Sequence, residues 1–197
     1  MADTIQIGGK HIKTWNYDGG QVSSLLPVDD AVNGIQMIDY AHHEAHEGNA
    51  YFAIQSGTIS TGGTVEVRIQ TPDTTTWAHM VISIDSALAA TAQMWKPTTK
   101  TDVSGNRITP MNRNNNSTNT SVLTICHTPA GSESGTAVLT QYIGAAATGG
   151  RVAVGGGAAS RGEFILDQNS SYLIRVTSRA DNNSCSIILD WYEHVNR

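Results

Sequence analysis

Residues 64–70, Thr-Val-Glu-Val-Arg-Ile-Gln, alternate without a break: Val65, Val67 and Ile69 fall on one face, Thr64, Glu66, Arg68 and Gln70 on the other. That two-residue period suits a pleated strand with one face in a core and is incompatible with a helix buried along one stripe. The same reading applies on either side. Tyr51–Gln55 is a short strand, and Trp77–Asp85 turns Ala78, Met80, Ile82 and Ile84 inward and Trp77, His79 and Ser83 outward. Thr91–Trp95, Ser121–His127, Thr136–Ile143, Glu163–Asp167, Tyr172–Arg179 and Ser184–His194 continue the series, although Ala87–Ala92 has some helical character. About eight to ten short strands with several long connections fit an antiparallel β-sandwich of jelly-roll type better than an even-hairpin barrel.

Turn chemistry sets the boundaries. Gly8-Gly9, Gly19-Gly20, Pro27 and Asn33-Gly34 break residues 1–34 into pieces too short for a core, so these are expected to form an extended arm, ordered against a partner surface. The sandwich domain then spans 35–197. Pro97–Thr120, with its run Asn112-Arg113-Asn114-Asn115-Asn116, is a long polar excursion of the kind that is functional or disordered. Gly144–Gly162 is Gly- and Ala-rich with only Arg151 and Arg161 charged, and is read as a loop that is flexible or orders against a partner.

Charge excludes some classes. Twelve basic and 17 acidic side chains leave a net charge of −5, without the basic footprint that nucleic-acid binding needs. No stretch approaches the roughly 18 apolar residues of a membrane span. Met1-Ala2-Asp3-Thr4-Ile5-Gln6 lacks the basic start and apolar run of a secretory signal, so synthesis in a cytoplasm is expected. Cys126 and Cys185 each sit inside a strand pattern, outside any C-x-x-C pair, and are read as buried thiols.

Ile38-Asp39-Tyr40-Ala41-His42-His43-Glu44-Ala45-His46-Glu47-Gly48 concentrates three of the seven histidines, and Leu189-Asp190-Trp191-Tyr192-Glu193-His194 closes the chain in similar character. Two such segments bracketing the β-rich middle suggest that the first and last core strands lie side by side. As a strand, residues 40–46 put Tyr40, His42, Glu44 and His46 on one face; as a helical turn, His42 and His46 become neighbours at i and i+4. Either geometry offers metal ligands, with His194 as a third if the end strands pair, yet His-Glu-Ala-His is one residue short of the zincin spacing. Hydrogen-bonded structural histidines are the plainer reading, and no metal or other cofactor is expected. Gly131-Ser132-Glu133-Ser134-Gly135 has Glu133 where a nucleophile elbow needs serine, and Gly155-Gly156-Gly157 matches no phosphate loop, so no enzyme is expected. Trp15, Trp77, Trp95 and Trp191 could mark a sugar-stacking surface, but Trp77 and Trp191 lie within strand patterns, where core or inter-subunit packing is the commoner use.

Taken in order, Ile38–His46, Thr71-Pro72-Asp73-Thr74-Thr75-Thr76-Trp77-Ala78-His79-Met80, Asn112-Arg113-Asn114 and Trp191-Tyr192-Glu193-His194 resemble a group of small tailed-bacteriophage virion proteins, those that decorate or cement phage heads. The resemblance covers about residues 36–194; Ala45 and Asn49 depart from the apolar and serine residues of the pattern. It implies a β-sandwich homotrimer on the outer capsid surface of a virion, made in the bacterial host cytoplasm and bridging major capsid protein subunits. Lys10, Lys13 and Trp15 on the arm, and Arg113, Arg151 and Arg161 on the long loops, are the candidate capsid or subunit contacts. A receptor- or carbohydrate-binding head of a phage fibre is the rival expectation.

Overall fold

The computed structural model describes residues 4–7, 10–13, 28–29, 34–35, 40–144 and 162–195. The chain divides into two compact units, Met1–Asp39 and Tyr40–Arg197. In the first unit, β1 (Thr4–Ile7) pairs antiparallel with β2 (Lys10–Lys13), and β3 (Val28–Asp29) with β4 (Gly34–Ile35). Lys10 and Lys13 bound β2; Trp15 lies outside the described residues.

The second unit opens on the helix α1 (Tyr40–Glu47), so the histidine segment takes the helical of its two alternatives. Gly48 stops it. At φ +78° its N–H donates to Ala45 O and the following Asn49 N–H to Glu44 O, a Schellman end. A side chain here would also strike Ser117, whose Oγ stands 2.2 Å from the position of a Cβ.

The remaining chain forms β5 (Ala50–Ile59), β6 (Thr64–Gln70), β7 (Thr76–Ser86), β8 (Ala90–Trp95), β9 (Arg107–Ile108), β10 (Met111–Asn112), β11 (Thr124–His127), β12 (Leu139–Ile143), β13 (Glu163–Ile165), β14 (Ser171–Ser178) and β15 (Asn183–Val195). They build two antiparallel sheets, β10-β5-β15-β7-β13 and β12-β8-β14-β6-β11-β9, packed face to face as a β-sandwich. As the bracketing segments suggest, β5 and β15 are neighbours, with Ala50 opposite Tyr192. Alternation decides what is inside. Ala53, Ala78, Met80, Ile187, Leu189 and Trp191 from the first sheet meet Val65, Val67, Ile69, Ile125, Ile174 and Val176 from the second. Cys126 and Cys185 are free thiols on different sheets, both buried.

The outer faces differ. The six-stranded sheet is strapped by residues 97–103 and 130–138: Lys100 reaches in to Glu66, Trp95 Nε1 donates to Gly135 O at 3.1 Å, and Glu133 accepts from Thr98 and Thr99. The long polar excursion is therefore ordered. It adds β9 to one sheet and β10 to the other, and its asparagines cap their own turns: Asn112 Oδ1 accepts from the Asn114 N–H, and Asn114 Oδ1 from the Asn116 N–H. The outer face of the five-stranded sheet is covered less by the described residues: α1 and the segment from Arg113 lie over one part of it, and Ile54, Val81, Met111 and Ile165 stay exposed.

Candidate functional site

Strand register assigns the open face row by row. Ile54, Ile188 and Ser83 form one row; Met111, Phe52, Asp190, Val81 and Glu163 the next; Ala50, Tyr192, His79 and Ile165 a third; His194 and Trp77 a fourth. Four large apolar side chains of this face stay exposed: Ile54 at 49%, Val81 at 40%, Met111 at 54% and Ile165 at 57%. Such grouping is the informative kind of surface hydrophobicity, in contrast to scattered single residues.

Charges on this face are compensated locally. Arg113 meets Asp190 through two hydrogen bonds, one from Nε to Oδ1 at 2.8 Å and one from Nη2 to Oδ2, and its guanidinium lies 5.4 Å from the Phe52 ring centroid. This candidate capsid contact therefore also pins the asparagine-rich strap to the sheet. Beside it, a cleft of about 300 Å³ opens between Ala41 and His42 of α1 and the side chains of His79, Glu163, Asp190 and Tyr192.

The floor of that cleft is a polar cluster. His79 Nδ1 stands 2.5 Å from Glu163 Oε1, and the Tyr192 hydroxyl donates to the same oxygen at 3.0 Å. The His79 and Tyr192 rings stack with centroids 4.8 Å apart. His79 Nε2 faces His194 Nε2 at 2.8 Å, and His194 Nδ1 stands 3.1 Å from Val195 O. Position follows from the pleat: His79 and His194 are diagonal neighbours on adjacent strands, within reach of long side chains. Where acyl transfer would require a hydroxyl or thiol at His79 Nε2, a second imidazole stands instead.

The proposed trio His42, His46 and His194 does not converge. His42 and His46 pair with each other along α1, Nε2 to Nε2 at 2.8 Å, while His194 pairs with His79. Among the described residues, no three His, Cys, Asp or Glu side chains form a group able to hold a metal ion. Arg151 and Arg161 lie outside the described residues. Trp95 and Trp191 are buried and Trp77 is half-buried, so none of the described tryptophans offers the open stacking platform of a sugar site. The sequence left His79, Glu163 and Tyr192 without a role, although His79 is in the outward phase of β7 and Tyr192 lies in the closing segment 189–194.

A second concavity, of about 470 Å³, lies between residues 118–122 and the end of β15, lined by Asn49, Thr76, Asn119, Thr120, Glu193 and His194 among others. Glu193 is buried, with its carboxylate taking hydrogen bonds from Ser121 Oγ at 2.5 Å, the Val122 N–H at 3.0 Å and Trp191 Nε1 at 2.9 Å. That carboxylate is engaged in holding structure. No helix of the described chain is long and apolar enough to cross a membrane.

No family model, no curated protein and no solved structure matches this chain.

Proposed function

We propose that this chain is a structural virion protein of a tailed bacteriophage, a homotrimer that decorates and cements the head by bridging major capsid protein subunits on its outer surface. The observation that carries the reading is the open face of the five-stranded sheet. Ile54, Val81, Met111 and Ile165 make it apolar, while Arg113 and Asp190 offset each other's charge within it. Pairing of that kind lowers like-charge repulsion against a second copy, and aromatic and aliphatic side chains ringed by polar groups are what a subunit interface buries. The strand order supports the jelly-roll form of the sandwich: β5-β15-β7-β13 faces β6-β14-β8-β12, the arrangement two Greek keys produce.

The role is mechanical. A stiff sandwich carries the loops, and many modest contacts repeated over a lattice hold through avidity. Arg113, and with it Lys10, Lys13, Trp15, Arg151 and Arg161, remain the candidate contacts. Light scattering on the purified full chain, followed by co-sedimentation with heads of the phage that encodes it, tests the reading. A mass near 3 × 21.0 kDa, about 63 kDa, with saturable binding to heads is expected. A monomer that stays in the supernatant would end it.

A further inference from the structure

We propose that the outer edge of β12 is a docking site for an extended strand of another protein, apolar on one face of that strand and carrying a carboxylate on the other. Four strands end the two sheets, β10 and β13 in one and β12 and β9 in the other. An edge strand presents a row of unpaired backbone N–H and C=O groups, and chains ordinarily blunt it by shortness, charge or proline. Three of the four edges follow that rule: β9 and β10 have two residues each, and β13 has three, beginning with Glu163. β12 does not. Its five residues pair on one side only, with β8, and from Thr136 to Ile143 the sequence holds neither a charged residue nor a proline. Large apolar side chains along it stay in solvent, with Val138 60% exposed, Leu139 43% and Tyr142 72%.

The two faces of this edge ask for different residues in the added strand. Leu139 stands opposite Met94 of the core, so an apolar side chain beside it would extend the sandwich interior. Tyr142 stands opposite Thr91 on the outer face, and Arg179 reaches across β8 to hold its guanidinium 5.7 Å from the Tyr142 ring centroid. Arg179 is exposed and makes no ion pair among the described residues. A carboxylate on the added strand would meet it, while main-chain hydrogen bonds along β12 supply affinity. A second copy of β12 fits less well. It brings no carboxylate, and antiparallel pairing with itself about a twofold axis does not close a homotrimer. Resting on the reading of the chain as a head protein, the inference makes the major capsid protein the donor of the strand.

Hydrogen–deuterium exchange of the full chain, free and bound to heads of the phage that encodes it, reads the backbone directly. Exchange at residues 138–143 should slow about 10-fold or more on binding. Arg179→Glu and Leu139→Lys should each weaken co-sedimentation with heads about 10-fold, with the mass in solution unchanged. Arg179 is exposed, so its variant decides even if Leu139→Lys fails to fold. Wild type that binds heads without slower exchange at 138–143, or Arg179→Glu that binds as wild type does, would overturn the inference and leave the structural role standing. Exchange at 138–143 as slow in the unbound chain as in the central strand β14 would also overturn it, because a second copy or another part of the same chain would then cover the edge. Wild type that does not bind heads would end both.

Discussion

The indole N–H of Trp191 donates to Glu193 Oε1 at 2.9 Å, joining two side chains on the same face of β15 inside the sandwich. The carboxylate also takes the Ser121 hydroxyl and the Val122 N–H, so it ties the residues entering β11 to the last strand. Glu193→Leu would leave the buried Trp191 indole N–H and two part-buried donors, Ser121 Oγ and the Val122 N–H, unanswered. A loss of about 1–3 kcal/mol per stranded donor at most, and several kcal/mol in total, is expected. Urea unfolding of the variant measures it, with the midpoint falling at unchanged m-value.

Glu66 is a second buried carboxylate, on the strapped face. It lies 2.6 Å from Lys100 Nζ and 2.5 Å from Arg175 Nε, with its side chain only 8% exposed. Arg175 in turn sits 4.7 Å from the Trp95 ring centroid. Removing the anion alone leaves two poorly hydrated cations facing each other, so Glu66→Gln should cost about 3–5 kcal/mol. Lys100→Met, which keeps the Arg175 pair, should cost clearly less. Equal losses in the two variants would show that the Lys100 contact, and with it the strap, dominates.

Glu133 gives stability a pH dependence of known sign. Partial burial pushes its carboxyl pKa up. Hydrogen bonds from Thr98 Oγ1, the Gly135 N–H, Thr99 Oγ1 and the Thr99 N–H outweigh that and hold the pKa at about 2, below the ordinary 4.5. A group depressed in the folded state binds its proton more readily when unfolded, so its contribution is full above pH about 4.5 and lost as pH falls through about 2. Glu133→Gln should lower the unfolding temperature at pH 7, and the gap to wild type should close between pH 5 and pH 2. A gap that is constant with pH would place the effect in packing.

Burial pushes both thiols, Cys126 and Cys185, above their ordinary pKa. Only the thiolate reacts, so native protein should resist iodoacetamide at pH 8 while urea-unfolded protein takes two labels. Mass spectrometry counts them. Rapid labelling of native Cys185 would show that β15 opens locally.

Much of the sandwich was legible because strands such as β6 and β7 turn apolar side chains to the core and mostly polar ones away from it. Residues 64–70 alternate in sequence, and β6 has those bounds. The inward set of β7 was legible for the same reason, with Ala78 and Met80 fully buried and Ile82 and Ile84 partly so. β9 and β10 were not, since two residues cannot display a period, and their pairing is fixed by partners elsewhere in the chain. The histidine segment allowed either helix or strand; the left-handed Gly48 and its close approach to Ser117 decide for the helix. The His79–Glu163 contact joins residues far apart in sequence through register alone, and the Gly- and Ala-rich stretch before Glu163 gave no sign of it. The sequence grouped His194 with His42 and His46 on the condition that the end strands pair; β5 and β15 do pair, but His194 meets His79 because β7 is the other neighbour of β15.

The open face is where self-association can be tested without disturbing the core. Ile54 and Val81 are 49% and 40% exposed and point away from the inner sheet contact, so charging them leaves the sandwich interior intact. In a subunit interface, however, two new carboxylates per chain would have to be buried without partners, at several kcal/mol each in practice. Ile54→Glu/Val81→Glu should therefore keep the wild-type far-ultraviolet circular dichroism spectrum while its mass in solution falls toward 21.0 kDa. Val138→Glu, an exposed apolar residue outside the five-stranded sheet, should leave the mass unchanged. If the Val138 variant dissociates and the double variant does not, copies associate through the strapped side, and the apolar rows of the five-stranded sheet meet the capsid instead.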